Sequence, residues 1–156
     1  MKTLIVFSSK YGGTAQMAEE LSKMISTSVE VRDLAKNPDP ELDEYGAILI
    51  GTSIYAGRAR KDVRKFCDQN LAKLLHKKTG IFISCWFEDK LDEYIEKSFP
   101  AKLVETSRIV LAGIIADPSE MSILDRFVVK TIAKIKEPVT QIKHDNLREL
   151  AASIEE

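Results

Sequence analysis

The feature that most constrains the fold of this 156-residue chain is an alternation repeated five times: a short apolar run, then a segment with apolar residues at helical spacing. Thr3 to Phe7 is the first run, stopped by Ser8-Ser9, and its lack of polar alternation suits a strand buried on both faces. From Thr14 the period changes, placing Met17, Ala18, Leu21, Met24 and Ile25 on one helical face. Val29 to Arg32 reads as a second strand, Pro38 and Pro40 mark a loop, and Ala47 to Ile50 is a third strand closed by Gly51. A helix carrying Val63, Phe66, Cys67, Leu71, Leu74 and Leu75 leads to a fourth strand, Gly80 to Ser84. A short helix, Leu91 to Phe99, then leads to a fifth, Ile109 to Ala116. Two helical stripes close the chain. One is Leu124, Phe127, Val128, Thr131, Ile132 and Ile135; the other is Leu147, Leu150, Ala151 and Ile154, with Asp145 as its N-cap.

Strand and helix in regular alternation predict an α/β protein: a doubly wound, five-stranded parallel sheet with helices on both faces. No linker, internal repeat or low-complexity segment interrupts residues 1–156, which therefore read as a single domain of ordinary size. Ligands of such sheets bind beyond the carboxyl ends of the strands, near the point where strand order reverses. That directs attention to Ser8 to Thr14, Gly51 to Gly57, Ser84 to Asp89 and Ala116 to Ser122.

A formal net charge of -1 gives no global field that would draw nucleic acid, so any charged partner must be read from local patches. The apolar run at the start is too short for a signal-peptide core and lacks a small-residue cleavage site, so it reads as a strand. Cys67 and Cys85 form neither a CxxC pair nor a disulfide framework, which favours a reducing, cytoplasmic setting. His76 and His144 stand far apart without ligand spacing, so no metal site is expected.

Chemistry concentrates in Ser9-Lys10-Tyr11-Gly12-Gly13-Thr14, which runs straight from a strand into a helix. The two glycines let backbone approach a ligand closely, and the helix start offers unpaired N–H groups and the positive end of its dipole. Ser8, Ser9 and Thr14 add hydroxyls and Lys10 a charge, a donor set suited to a phosphate monoester. Neither GxxxxGK followed by Ser or Thr nor GxGxxG is present. The acidic residues of a phosphoryl receiver are also missing after the first and third strands, where Ser8-Ser9 and Gly51-Thr52 stand instead. Triphosphates, dinucleotides and aspartyl phosphate lose ground accordingly.

The loop, in its place after the first strand, resembles the flavin mononucleotide (FMN) phosphate loop of flavodoxins, and the resemblance extends over the whole chain in order and length. It implies a flavodoxin-like strand order of 2-1-3-4-5 and FMN as the cofactor. It further implies that Thr52, Ser53, Ile54, Tyr55, Ala56 and Gly57 form a loop beside the flavin ring, with Tyr55 stacking and the Ala56-Gly57 peptide facing the reactive ring nitrogen N5. Ser84, Cys85, Trp86 and Phe87 would form the other ring-binding loop, Trp86 covering the ring and Cys85 acting as a small apolar neighbour.

Low-potential flavodoxins surround the flavin with acidic residues, whereas this chain places Arg58, Arg60, Lys61, Arg64 and Lys65 just after the ring loop. Positive charge at a helix start opposes the helix dipole, so the cluster is an expected contact for an acidic redox partner or a small anionic substrate near Arg58, Arg60 and Arg64. Asp125-Arg126-Phe127 and the Lys130 to Lys134 stretch are similar to the C-terminal part of the menaquinone-dependent protoporphyrinogen oxidase family, itself flavodoxin-like. Arg126, Lys130 and Lys134 fall at i, i+4 and i+8, a stripe for peripheral membrane or quinone contact. That family carries a longer basic loop where this chain has Glu88-Asp89-Lys90-Leu91-Asp92-Glu93. The expected function is FMN-dependent electron transfer. The alternatives are a quinone-linked protoporphyrinogen oxidase and, from a different class, a flavin-free interaction module. No catalytic residue is singled out, since a flavin carries its own redox chemistry.

Overall fold

A computed structural model describes residues 1–156. Strand β1 (Lys2–Phe7) is followed by helix α1 (Gly13–Met24), strand β2 (Ser28–Asp33) and the long strand β3 (Ala47–Tyr55), which turns back into β4 (Arg58–Ala59). Helices α2 (Lys61–Gln69) and α3 (Leu71–Leu75) precede β5 (Lys78–Ser84), and α4 (Leu91–Ser98) and α5 (Ala101–Thr106) precede β6 (Arg108–Ala116). The chain ends with α6 (Ile123–Thr131), β7 (Val139–Ile142) and α7 (His144–Glu155).

The strands lie in the order β2-β1-β3-β5-β6-β7, with β4 paired to β3 off this path. The first five of that path are parallel neighbours and reproduce the expected order 2-1-3-4-5. The sheet nevertheless has seven strands rather than five. Both additions are antiparallel: β4 folds back on β3, and β7 closes the free edge of β6 with Ala116 opposite Val139 and Gly113 opposite Ile142. Gly113 makes this closure feasible. Its φ is +114°, and any side chain there would overlap the Gln141 carbonyl oxygen.

The central strands bury both faces in strict alternation. Leu4, Val6, Ile48, Ile50, Ile81 and Ile83 point to one core with Val63, Phe66 and Leu74 of α2 and α3 and Leu103 of α5. Ile5, Phe7, Leu49 and Phe82 point to the other, against Met17 and Leu21 of α1 and Leu147, Leu150 and Ile154 of α7. This period of two, buried on both sides, is why the strands read as unbroken apolar runs. The expected single helix over Val63 to Leu75 is divided at Asn70, whose N–H and side-chain amide both donate to the Phe66 carbonyl. Asp145 does not cap α7; it sits in the first turn and pairs with Arg148. Of the stripe that includes α6 only Ile135 is buried, while Leu124, Phe127, Val128 and Ile132 are exposed.

Candidate functional site

Chain direction from β1 diverges to β2 on one side and β3 on the other, so the carboxyl ends of β1 and β3 open a crevice. The crevice is a cleft of about 450 Å³ with predominantly hydrophobic walls, well within the roughly 300–1,000 Å³ of small-molecule sites. Four segments build it: the β1–α1 loop, the β3–β4 turn, the end of β5 and the β6–α6 region.

At one end lies the β1–α1 loop. Gly12 has φ +88°, a left-handed conformation that lets the loop turn sharply into α1, and its N–H donates to Ser9 Oγ at 2.9 Å. The first helical bond of α1 runs from Gln16 N–H to Gly12 carbonyl. The N–H groups of Lys10, Tyr11, Gly13, Thr14 and Ala15 meet no backbone acceptor. No acidic side chain occupies the first turn, and no side chain caps the helix. Five backbone donors clustered at a helix start, beside the nearly buried Thr14, form a seat for an anion with several oxygens.

The β3–β4 connection is a two-residue hairpin rather than a loop. Ala56 (φ +50°) and Gly57 (φ +79°) form its corner, the sign pattern of a type I′ turn. Thr52 and Ser53, read as loop, therefore belong to β3. The hairpin holds Tyr55 half exposed at the cleft mouth; Trp86 and Tyr11 are also partly exposed on its rim. A planar ring system fits between such aromatic walls.

The β6–α6 region brings in Asp125, only 6 % exposed and absent from the expected site. Its carboxylate accepts from Lys10 Nζ at 2.6 Å, from Tyr55 Oη at 2.9 Å and from Tyr11 Oη. Ser122 caps α6 by accepting from the Asp125 N–H at 3.2 Å, and its own N–H donates to Tyr11 Oη at 3.2 Å. The Lys10 ammonium stands 5.1 Å from the centre of the Tyr55 ring and 5.4 Å from that of Tyr11. The bonds from Lys10 first, then Tyr11, hold the Asp125 carboxyl down at about 2. The same pair raises the Lys10 ammonium, and the bond to Asp125 raises the Tyr55 phenol.

Arg60 also lines the cleft. Its Nε donates to Ser8 Oγ at 2.9 Å, and Ser8 Oγ donates in turn to Asp62 at 2.7 Å. Arg64 Nε is spent on the Ala59 carbonyl at 3.1 Å, leaving Arg58 exposed on β4. Of the residues expected to hold a cofactor, the cleft wall includes Ser9, Lys10, Tyr11, Gly13, Thr14, Ser53, Ile54, Tyr55, Ala56, Gly57, Ser84, Cys85, Trp86 and Phe87. Gly12 and Thr52 lie off it: Gly12 shapes the helix start, and buried Thr52 accepts the Arg60 N–H. Cys85 Sγ contacts the Phe87 carbonyl, and burial raises its thiol. Burial likewise pushes Cys67 up to about 12, so neither thiol is primed as a nucleophile.

The expected basic stripe on α6 does not form. The helix ends at Thr131, Lys134 lies past it with φ +56°, and Arg126 turns back to the Pro118 and Met121 carbonyls at 2.9 and 3.2 Å. No group of metal-binding side chains is present, and no helix is long and apolar enough to cross a membrane.

A family model described as a flavodoxin domain matches residues 4–143. Protoporphyrinogen IX dehydrogenase [quinone] of Escherichia coli strain K12 is 25 % identical over 146 residues, covering 86 % of this chain and 80 % of that protein. Among solved structures, a flavodoxin from the domain Archaea superposes with a TM-score of 0.61 at 20 % identity, covering 100 % of both chains. A flavoprotein of Lactobacillus acidophilus NCFM in complex with FMN superposes with a TM-score of 0.52 at 16 % identity, over 72 % of this chain and 92 % of that one.

Proposed function

The chain belongs to the flavodoxin-domain family, and on that premise we propose that it binds FMN in the β1/β3 cleft and passes electrons through it. The observation that carries this reading is the cluster of N–H groups without a backbone acceptor at the start of α1, opening onto an aromatic-walled cleft of suitable size. The donor set fits a phosphate monoester, and the rim of Tyr55 and Trp86 fits a planar ring. When bound, FMN supplies the capacity to take up and release electrons. The residues of this chain orient it and shield it from water: the β1–α1 loop anchors the phosphate end, and Tyr55, Trp86 and Phe87 enclose the ring end.

Titration of the purified protein with FMN, followed by flavin fluorescence and absorbance, is the direct test. One molecule per chain is expected, with riboflavin, which lacks the phosphate, bound at least about tenfold more weakly, because charge-assisted hydrogen bonds to the anion each contribute roughly 1.5–3 kcal/mol. Absence of binding at excess FMN would leave a flavin-free interaction module as the reading.

A second reading, quinone-linked oxidation of protoporphyrinogen, has a specific observation in its favour. The β6–α6 region lines the same cleft with Met121, Val128, Val129, Ile132 and Ala133, apolar surface suited to a hydrophobic substrate or a quinone. The similarity to the E. coli dehydrogenase spans this region. Quinone-coupled turnover of protoporphyrinogen by FMN-loaded protein would promote it over the carrier. Arg60 on the cleft wall and exposed Arg58 on β4 are the charges that an acidic partner or an anionic substrate would meet. Replacing Arg58 and Arg60 by Ala should lower the flavin potential and weaken that partner. The two free cysteines suit a reducing, cytoplasmic setting.

A further inference from the structure

The two ends of the cleft belong to different segments. The phosphate seat is part of the β1–α1 loop, whereas Tyr55 stands at the corner of the β3–β4 hairpin. Strand β4 is only two residues long, and half-exposed Tyr55 lies in the last ladder pair, opposite Arg58. Its hydroxyl makes a single hydrogen bond, to Asp125 Oδ1 at 2.9 Å. The other carboxylate oxygen, Oδ2, accepts from Lys10 Nζ at 2.6 Å and from Tyr11 Oη, both in the loop that forms the seat. One carboxylate thus bridges the two ends, with one oxygen turned to each.

Asp125 is itself held in place. Ser122 Oγ accepts the Asp125 N–H at 3.2 Å, and the Ser122 N–H donates to Tyr11 Oη at 3.2 Å. The adjacent Arg126 donates to the Pro118 and Met121 carbonyls at 2.9 and 3.2 Å, which fixes the turn leading into α6. A nearly buried carboxylate gives up most of its hydration, and its ion pair offsets that cost only in part. What the bridge adds over an apolar contact is direction: two oxygens at a fixed separation, each claimed by a different wall.

We infer that Asp125 is a positioning residue that sets the spacing between the phosphate seat and the Tyr55 wall, so that the two ends of FMN bind cooperatively. The inference rests on the FMN reading above. A ligand held at both ends binds best when the spacing of its contacts is set before it arrives, because binding then orders fewer side chains. With the bridge cut, Tyr55 moves independently of the seat, and a flavin anchored by its phosphate loses part of its ring contact. Riboflavin lacks that anchor and follows the wall. The loss is therefore selective for the phosphorylated ligand.

The test is to measure FMN and riboflavin affinity for wild type and two variants of the full chain. Tyr55→Phe keeps the ring and removes the hydroxyl on one side of the bridge. Lys10→Gln/Asp125→Asn removes both charges together, leaving no unpaired ammonium to move to the phosphate. Each should weaken FMN about three- to tenfold and riboflavin less than about twofold, the loss expected when one more side chain must be ordered on binding. Visible circular dichroism of the bound flavin, which reports its orientation, should change in both variants, while the far-ultraviolet spectrum stays that of wild type. Combining all three substitutions should cost less than about twofold beyond the Lys10/Asp125 variant, because both sets cut the same bridge. Equal losses for the two ligands, unchanged affinities, or additive losses in the combined variant overturn the inference and leave the FMN reading standing. Wild type that binds no FMN overturns both.

Discussion

Asp125 is the most consequential single residue outside the phosphate loop, because one carboxylate ties together three segments distant in the chain. Lys10 lies 115 positions away and Tyr55 lies 70. Its folded pKa of about 2 sits below the value of about 3.9 for an unfolded aspartate. A carboxyl depressed on folding adds stability that is present above the unfolded value and is lost as pH falls through the folded one. Wild type should therefore be more stable than Asp125→Asn near neutral pH, with the difference shrinking from about pH 4 and gone near pH 2. Urea denaturation of both proteins across that range measures it. The phosphate loop was legible in sequence because its glycines, hydroxyls and helix start are contiguous. Asp125 stood out only within the Asp125-Arg126-Phe127 resemblance; its place in the cleft was not legible, since an aspartate between Leu124 and Arg126 carries no local sign of partners brought to it by tertiary structure.

Among the elements, the β3–β4 hairpin holds a small reserve of strain. Ala56 adopts φ +50°, a conformation that costs a residue with a Cβ roughly 1–2 kcal/mol, whereas glycine adopts it freely. Ala56→Gly should stabilise the protein by up to about 1 kcal/mol after the added freedom of the unfolded chain is counted, readable as a higher urea midpoint. The parallel strands and the helices against them were legible because a switch of period from two to 3.6 residues is strong wherever both faces are buried. The elements that escaped notice lack that signal. Residues Gly51 to Tyr55 prolong β3 through Thr52 and Ser53, and β7 offers four residues with Thr140 and Gln141 in the middle. Helix α5 is six residues long directly after Pro100. The spacing on α6 marks it as an amphipathic helix, but periodicity does not say which side finds a partner, so the exposure of Leu124 and Phe127 is not legible from it.

At the scale of the molecule, one sheet separates two cores, and each central strand feeds both. Phe66 fills one and Phe82 the other, both essentially inaccessible to solvent. Phe66→Ala and Phe82→Ala should each destabilise by about 3–5 kcal/mol. A strand shared by both cores cannot lose one and keep the other, so each variant should unfold in a single cooperative transition by circular dichroism, at a lower urea midpoint. The antiparallel closure of the sheet edge has a different consequence. Ala116 and Val139 are ladder partners, so residues 117–138 leave and rejoin the scaffold at a single point. Such a cassette can be exchanged or lengthened without shifting the register of any strand, provided that Asp125 is kept to hold Lys10 and Tyr11. Descent from a common ancestor can therefore alter what α6 meets while the phosphate seat stays in place, which makes this excursion the natural point at which members of one fold acquire separate occupations.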